Sequence, residues 1–360
     1  MSLLATRLQD WRISNERFDR NMSRPFRYGA LDFFIEQTDA ANSIISPNLR
    51  DRAFESAGNT VQIPVINYDG DVTVGNTRSC TIADDENTSA LYTVVWTTLS
   101  VGFTMVPELY RSNEISYEHD FNRKLEKVSA AMANALDKLA VAALEANKTQ
   151  VFADKLYYTV TANVVEVPWN ARLDFLGDMD VLMAANGYAR PIHVIGNAGI
   201  NSILMKLAEH GEYNDVNKRI EWGDKVLHYT NNVTNDDGFA TAFIVEDGNV
   251  GVLTRVDGNS LSRRRAAGHE WDVVRLPYID IPVGSHYYTS VGDQNTIAGA
   301  ASAGLTCDVK EFFGFSVEVA FIVAYNSDPA TVANPIIKVE VAKPGEQSPF
   351  ALPVEVVNKD

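Results

Sequence analysis

The chain has 360 residues, of which 46% are hydrophobic and 22% are charged, and its net charge at pH 7 is −16. This composition is typical of a folded globular protein, and the length allows one large domain or two to three ordinary ones. So negative a charge argues against a protein whose main task is to grip nucleic acid. No apolar run is long enough to cross a membrane, because the best one, at residues 317–325, has only the length of a strand.

The termini and the reactive side chains give few chemical signals. Residues 1–18 carry charges throughout, so we expect that they are not a secretory signal. We also expect the chain to be synthesised in the cytoplasm. Two cysteines, Cys80 and Cys307, predict neither a disulfide framework nor a metal site. The histidines show no metal-binding spacing, so we expect no metal and no cofactor. They are His119, His193, His210, His228, His269 and His286.

Residues 1–57 show no sustained hydrophobic period and predict an extended arm with short helical pieces. The first 28 residues hold six arginines against three acidic residues, a net charge of +3. This segment is either a solvated tail or an arm that pairs with acidic surfaces of neighbouring copies, since arginine makes bidentate contacts with carboxylates. The candidate contact residues are Arg7, Arg12, Arg17, Arg20, Arg24 and Arg27.

Residues 58–112 predict a long β excursion. Strand-like runs at 60–68, 72–83 and 90–106 are separated by turn signals at 69–71 and 84–89. An isolated hairpin is only marginally stable in water, so we expect this element to need a partner surface on its own chain or another. Its candidate contact residues are Asp69, Asp71, Arg78, Asp84, Asp85 and Glu86.

Residues 117–150 contain neither Gly nor Pro and predict one long helix. Its apolar residues recur at spacings of three or four and form one stripe. The pattern lasts too few heptads for a coiled coil and by itself fits a core helix of a large globular enzyme. The stripe consists of Phe121, Leu125, Val128, Met132, Leu136, Leu139 and Ala143.

The remaining chain alternates between strands and helices. A strand, a tight turn and a helix are predicted over 191–211, with Gly196 and Gly199 at the turn. That position is compatible with a phosphate-binding turn, but the third glycine of a dinucleotide fingerprint and the lysine of a P-loop are missing. We therefore favour an ordinary turn in which Asn197 or Asn201 caps the helix.

A basic triplet follows later in the chain, in a loop predicted at 258–272. It is either a phosphate or carboxylate contact or a solvated loop, and its residues are Arg263, Arg264 and Arg265. We find no nucleophile elbow and no pair of carboxylates on a recognisable catalytic scaffold, so the sequence predicts no enzyme.

The order of these elements is an arm, a long β excursion, a long helix, a mixed α/β region and a return to strands. This order resembles that of the major capsid proteins of tailed bacteriophages, which have the Hong Kong 97-like fold. The resemblance covers about residues 1–345. Residues 193–214 resemble the family's strand-to-helix segment, and residues 334–341 resemble its closing strand.

The resemblance implies an α+β fold with named parts. The long helix, at about 116–148, is expected to be the spine helix of the peripheral domain. The implied parts are an N-terminal arm (1–57), an extended β loop (58–112), a peripheral domain (113–170 and 310–345), an axial domain (171–309) and a C-terminal tail (346–360).

The resemblance also implies a structural role. Such a chain self-assembles into pentamers and hexamers of an icosahedral shell that encloses double-stranded DNA without sequence-specific binding. The implied partners are further copies of the chain and portal, scaffold or decoration proteins. The implied location is the virion, after assembly in the cytoplasm of the bacterial host, and no membrane is involved.

One feature departs from the family pattern. Some family members join subunits by an isopeptide bond that starts from a lysine in the extended loop. The first lysine of this chain is Lys124, so we expect no crosslink of that type. The chain also opens directly with the arm, so we expect any scaffold to be a separate protein or to have been cleaved off.

Two alternatives stay open. An encapsulin-type nanocompartment shell uses the same fold, houses cargo enzymes and generally replaces the arm by an inner helix. A soluble α/β enzyme predicts a monomer or small oligomer with a ligand at the turn of Gly196 and Gly199.

Overall fold

The computed structural model shows a protein of mixed helices and sheets, as the sequence predicts. Within the described part of the chain, the first helix begins at residue 29 and the last strand ends at residue 341. The described residues are 28–41, 43–55, 60–66, 89–110, 116–148, 158–186, 188, 192–207, 212–214, 219–222, 225–234, 238–256, 269–292, 308–324 and 334–343.

The described ranges contain five α-helices, and one of them is far longer than the others. Helix α3 (Tyr117–Ala146) has 30 residues, which makes it about 45 Å long. This confirms the predicted helix. Ser116 caps it, because its hydroxyl accepts a hydrogen bond from the amide of His119 at 3.2 Å. The other helices are α1 (Gly29–Asp39), α2 (Pro47–Glu55), α4 (Phe175–Ala185) and α5 (Ala198–Leu207).

An eight-stranded sheet, here called the large sheet, forms one of the two main sheets. Two of its strand pairs are parallel and the others antiparallel. All seven residues of its central strand β10 (Ala240–Glu246) are buried, as expected for a strand covered on both faces. In order, the strands are β4 (Thr159–Thr161), β5 (Val164–Val167), β15 (Ile336–Val341), β10, β6 (Ile192–Gly196), β9 (Lys225–Tyr229), β8 (Arg219–Trp222) and β7 (Glu212–Asn214).

The second sheet has five strands and is organised by β14 (Asp308–Val323), which is 16 residues long. Strand β14 pairs with β13 over 308–316, with β11 over 318–323 and with β3 over 311–319. Because residues 311–316 pair with both β13 and β3, those two strands lie on opposite edges of β14. The other strands are β3 (Thr97–Met105), β11 (Val250–Arg255), β12 (His269–Val274) and β13 (Val283–Gly292).

Helix α3 contributes to the cores beneath both sheets. The buried side chains of its first six turns, from Phe121 to Leu136, pack with Phe313 and Phe315 of the second sheet. Its last turns, through Ala140 and Leu144, instead join a cluster that includes residues of the large sheet. The helix is therefore long because it spans the distance across two cores.

The large sheet is covered on both faces. Helices α4 and α5 pack on one face, where Phe175, Met179 and Ile200 are fully buried. Helix α1 packs on the other face through Phe33 and Phe34, next to the end of α3. This arrangement explains why the strands of this sheet read as apolar runs rather than as alternating patterns.

The sheets divide the chain differently from the predicted domains. Strand β15 belongs to the predicted peripheral segment 310–345, but it pairs with β10 from the predicted axial segment 171–309. Strands β11, β12 and β13 of that axial segment join β14 and β3 beneath α3 instead. Hydrophobic period identifies strands but not which distant strand each one pairs with, and the boundaries of the peripheral and axial domains stay a prediction.

The predicted arm at 1–57 contains two helices in its described part, α1 and α2. Helix α1 is not a surface arm, since Leu31, Phe33 and Phe34 are fully buried in this chain's own core. The sequence missed it because apolar residues crowd one short stretch without a clear period. Residues 1–27 lie outside the described residues, so an arm there stays a prediction.

The predicted β excursion at 58–112 is formed in part by a two-stranded antiparallel sheet, here called the ribbon. Its strands are β1 (Gln62–Ile66) and β2 (Ser89–Thr93). The single strand predicted at 90–106 is instead two strands, β2 and β3, which pair with different partners. The strand predicted at 72–83 lies outside the described residues.

Candidate functional site

The contact residues predicted from the sequence all lie outside the described residues, so their roles stay predictions. They are Arg7, Arg12, Arg17, Arg20, Arg24, Arg27, Asp69, Asp71, Arg78, Asp84, Asp85, Glu86, Arg263, Arg264 and Arg265.

The turn between β6 and α5 is an ordinary capped turn. The side-chain oxygen of Asn197 accepts hydrogen bonds from the amides of Gly199 at 3.1 Å and Ile200 at 3.3 Å, which confirms one of the two predicted caps. These are the amides that a phosphate would need at a helix N-terminus. A Cβ on Gly199 would overlap the carbonyl oxygen of Phe239 and lie 2.7 Å from the Cβ of Ala240. Both Asn197 and Gly199 therefore serve packing.

The ribbon exposes large apolar side chains. Leu91 is 66% exposed, Tyr92 39% and Val95, just after β2, 74%. A ribbon of two strands gains little stability alone, so these side chains form a candidate surface for contact with another chain.

The base of the ribbon is fixed to the second sheet. Val61, Ile63 and Val94 are buried in a cluster that also holds Leu253 of β11 and Ile322 of β14. The amide of Val94 donates to the carbonyl oxygen of Val61 at 2.9 Å. The ribbon thus extends from a well-packed base, and its exposed apolar residues lie beyond that base.

A cation also holds this base. The guanidinium of Arg255 lies 4.2 Å from the centre of the Trp96 ring, and its Nε pairs with a carboxylate oxygen of Glu318. Thr98 donates to the other oxygen of Glu318 at 3.4 Å. The side chain of Arg255 is buried and that of Glu318 is 23% exposed, so the cation is largely removed from bulk water while its carboxylate partner is partly solvated. The arrangement connects β11, β14 and the link between β2 and β3.

A second partly exposed surface lies on the face of the second sheet opposite α3, here called the aromatic face. Trp271 stacks on His286 with ring centres 3.7 Å apart, and Tyr288 stacks on Phe312 at 4.5 Å. His269 stacks on both His286 and Tyr288. These five rings form cross-strand pairs from β12 to β14, which stabilise the sheet and present ring edges to the outside.

The outer side of α4 is a third partly apolar surface. Val181 is 55% exposed, and Leu173, just before the helix, is exposed as well. The flanks of the helix are fastened to its own chain, because Asp178 accepts from the hydroxyl of Tyr158 and Asp180 accepts from the amine of Lys225, both at 2.5 Å. The helix is therefore held in place with an apolar residue pointing outward.

A buried carboxylate joins α3, α1 and the end of β9. Asp137 of α3 accepts from the amide of Leu31 at 2.9 Å, from the amide group of Asn232 at 2.7 Å and from the hydroxyl of Thr230 at 2.5 Å. Burial raises the pKa of the Asp137 carboxyl, although the hydrogen bonds from Thr230, Asn232 and the backbone of Leu31 and Ala30 oppose the shift. In the sequence, the only signal for this site is an Asp beside the apolar stripe of α3.

Both ends of α3 are tied to the strands around them. At its C-terminal end, the buried amine of Lys338 lies 3.3 Å from a carboxylate oxygen of Glu145 and 3.2 Å from one of Glu340. Burial disfavours the charged amine, but the hydrogen bonds and attraction from these two carboxylates outweigh it and raise the pKa of Lys338. At its N-terminal end, the hydroxyl of Tyr117 donates to Glu311 of β14.

The fold brings four histidines together in two pairs that their sequence spacing does not predict. Nδ1 of His193 lies 3.1 Å from Nε2 of His228, and Nδ1 of His269 lies 2.8 Å from Nε2 of His286. Across the described residues, no group of three or more His, Cys, Asp or Glu side chains is arranged to hold a metal ion.

None of the described helices combines the length and apolar character needed to cross a membrane. The ribbon, the aromatic face and the outer side of α4 are three surfaces on a scaffold held together by α3.

Comparison with known proteins gave matches among structures only. No family model matches the chain, and no curated protein matches it. The chain is similar to a structure from Mycobacterium phage Che8, with a TM-score of 0.45 and 11% sequence identity over 83% of this chain and 95% of that one.

Two further similar structures are described as capsids. The asymmetric unit of the mature capsid of bacteriophage PhiM1 matches with a TM-score of 0.42 and 10% identity, over 80% of this chain and 83% of that one. The capsid of Ralstonia phage GP4 matches with a TM-score of 0.42 and 11% identity, over 81% of this chain and 86% of that one.

Proposed function

We propose that the chain is a major capsid protein of a tailed bacteriophage, with the Hong Kong 97-like fold. In this proposal copies of the chain form pentamers and hexamers of an icosahedral shell that encloses double-stranded DNA. The observation that carries the proposal is the ribbon, which exposes Leu91 and Val95 from a firmly packed base on a scaffold built around one 30-residue helix.

The scaffold supports the proposal through its arrangement. The order of elements along the chain is the one that suggested the family, and in this proposal α3 is the spine helix. In this proposal α3 and the second sheet form the peripheral domain, and the large sheet with α4 and α5 forms the axial domain. The ribbon is the base of the extended loop.

The exposed surfaces suit contacts between different patches of neighbouring copies. The ribbon and the outer side of α4 are separate surfaces on one chain, so a contact that joins either to another patch is heterologous. Heterologous contacts build a ring when the rotation that relates one copy to the next brings the last copy back to the first. Exposed apolar residues on a short two-stranded ribbon become stable when they are covered by such a neighbour.

The direct test is negative-stain electron microscopy of the purified full-length chain, together with size-exclusion chromatography. We expect closed shells, tubes, or rings of five and six subunits. A population that stays monomeric over a wide range of concentration and salt, including in the presence of its scaffold, would contradict the proposal. Nucleic acid inside particles made in the host distinguishes a virus shell from a nanocompartment.

A further inference from the structure

A buried chain of polar side chains connects α1 to the large sheet. Gln37 of α1 accepts from the amide of Gly248 through Oε1 at 2.5 Å, and its Nε2 lies 3.3 Å from Nε2 of His193. Nδ1 of His193 lies 3.1 Å from Nε2 of His228. Gln37, His193 and His228 are all buried, and Phe33 packs against both imidazole rings.

The partners of this chain assign its hydrogens. Because Oε1 of Gln37 accepts from a backbone amide, its Nε2 must be the donor towards His193. Nε2 of His193 then accepts, so the hydrogen of this ring is on Nδ1, from where it is donated to Nε2 of His228. Every donor in this series meets an acceptor only when Nε2 of His193 and Nε2 of His228 carry no proton. Both imidazole rings are then neutral.

A second acceptor lies beside the same nitrogen of His193. An oxygen of Asp247 is 3.4 Å from Nε2, in the turn between β10 and β11. A proton on Nε2 would face the amide hydrogens of Gln37, which is unfavourable, and would gain a charge-assisted hydrogen bond to Asp247. His193 thus has one partner for its neutral form and another for its charged form.

The other charged groups nearby are arranged differently. Glu246 pairs in register with Ile192 and Lys225 binds Asp180 of α4, which places both on the opposite face of the large sheet. On α1, Asp32 comes directly before Phe33 and Glu36 comes directly before Gln37. Phe33 and Gln37 belong to the buried face of the helix. Asp137 of α3 binds Thr230, two residues beyond His228. Asp247 is thus a carboxylate in contact with Nε2 of His193.

We propose that Gln37, His193, His228 and Asp247 form a proton-sensitive latch between α1 and the large sheet. With neutral histidines, Gln37 joins the Gly248 turn to His193 and fastens α1. When a proton from solvent binds Nε2 of His193, that nitrogen changes partner from Gln37 to Asp247, and α1 loses its polar connection to β6. The inference concerns the fold of the single chain and holds whether or not the chain builds a shell.

The sign of the pH effect follows from proton uptake. If the folded state keeps these histidines neutral, it binds fewer protons than the unfolded state near pH 6.5, where histidine ordinarily titrates. The stability of the latch is therefore present at neutral pH and is lost on acidification below about pH 6.5.

The test is hydrogen exchange of the full-length chain, measured by mass spectrometry at pH 7.5 and 5.5 and corrected for the intrinsic rate. We expect the amides of α1 to lose protection roughly tenfold at the lower pH, the effect of about one lost hydrogen bond. The amides of α4 serve as an internal reference. In the isosteric variant Gln37→Glu, one oxygen still accepts from Gly248 and the other favours a proton on His193, so protection should be kept or increased at pH 5.5.

Two further variants complete the design. His119→Gln removes an exposed histidine at the start of α3, and its pH response should equal that of the wild type. Asp247→Asn removes the partner of the charged form, disfavours a proton on Nε2 of His193 and should reduce the loss of α1 protection at pH 5.5. Equal protection of wild-type α1 at both pH values overturns the proposal, as does a Gln37→Glu variant that responds like the wild type. Should Gln37→Glu not fold, an Asp247→Asn response equal to that of the wild type overturns it.

Discussion

The carboxylate of Asp137 in α3 accepts a hydrogen bond from the backbone amide of Leu31 in α1 at 2.9 Å, although 106 positions separate the two residues in the chain. Leu31 is the third residue of α1, and the N-cap residue of that helix, Tyr28, makes no side-chain cap hydrogen bond. A neighbouring helix therefore supplies the cap, and its negative charge also suits the positive end of the α1 dipole.

Replacement of Asp137 by Ala should destabilise the fold strongly. It leaves the amide of Leu31 and the hydroxyl of Thr230 buried without this acceptor, and we expect a loss of about 3 kcal/mol in the free energy of unfolding. Urea denaturation measures the loss. The matched control is Asp39→Ala, which removes an exposed carboxylate paired with Arg50 and should cost less than about 0.5 kcal/mol. Equal effects of the two variants would mean that the cap contributes nothing.

The pH dependence of Asp137 has the opposite sign to that of a salt-bridged carboxylate. Its pKa is raised in the folded state, so the folded chain holds the proton more tightly than the unfolded chain does. The contribution to stability is fully present below about pH 3.9, the ordinary value for Asp, and decreases as the pH rises through the folded pKa. The stability of the wild type relative to Asp137→Asn should therefore fall from pH 3.5 to pH 7 in urea titrations, and a rise would contradict this.

Charge on the ribbon should prevent assembly and leave the fold intact. In the double variant Leu91→Asp and Val95→Asp, both side chains are largely exposed, so we expect a change in unfolding free energy within about 0.5 kcal/mol for each. Covering two carboxylates in an apolar contact is costly, so shells and rings should be absent in electron micrographs. The control Ser202→Asp adds one carboxylate on the exposed side of α5 instead, and its shells should form normally. Normal shells from the double variant would exclude the ribbon as a contact.

Arg255 should matter far more than a surface arginine. Arg255→Met removes the stacking on Trp96 and leaves Glu318 without its cation, which should cost about 3 kcal/mol and increase hydrogen exchange in β1 and β2. Arg275→Met removes an exposed ion pair with Asp280 at 3.0 Å and should cost less than about 0.5 kcal/mol. Similar losses for the two variants, with unchanged exchange in the ribbon, would show that Arg255 does not hold its base.

Two helical glycines should respond in opposite directions to the same substitution. Gly177→Ala in α4 meets no atom within 4 Å and should stabilise the chain by about 0.5–1 kcal/mol, because alanine favours a helix. Gly199→Ala in α5 places a Cβ 2.7 Å from the Cβ of Ala240 and should destabilise by about 2 kcal/mol or more. Thermal denaturation of the two variants measures both signs, and stabilisation by Gly199→Ala would show that α5 can shift freely.

Patterns among neighbouring residues predicted a helix and a helix cap, because those features depend on residues that lie close together in the chain. The spacing from Phe121 to Leu136 predicted α3, and those residues are buried as one stripe. The asparagines at the start of α5 predicted a helix cap, by Asn197 or Asn201, and Asn197 makes it. In both cases the residues that decide the structure are within a few positions of each other.

Contacts between distant segments left no such pattern. Ser129 and Asp137 are buried on α3 beside the apolar stripe, but only the fold shows that α1 and the end of β9 meet Asp137 there. His193 and His228 are 35 positions apart and become neighbours because β6 and β9 pair in parallel. Strand order is a property of the whole chain, which is also why the sequence did not reveal that β15 pairs with β10.

The course of α3 through two cores has a consequence for how the chain unfolds. A protein of this length with two sheets would ordinarily be expected to lose them in separate steps. Here Leu136 and Leu144, about two turns apart on one rigid rod, belong to different clusters, and unravelling either cluster removes the support of the other. The described core should melt as a single cooperative unit, with one heat-absorption peak, and mechanical strain on either sheet should be shared by both.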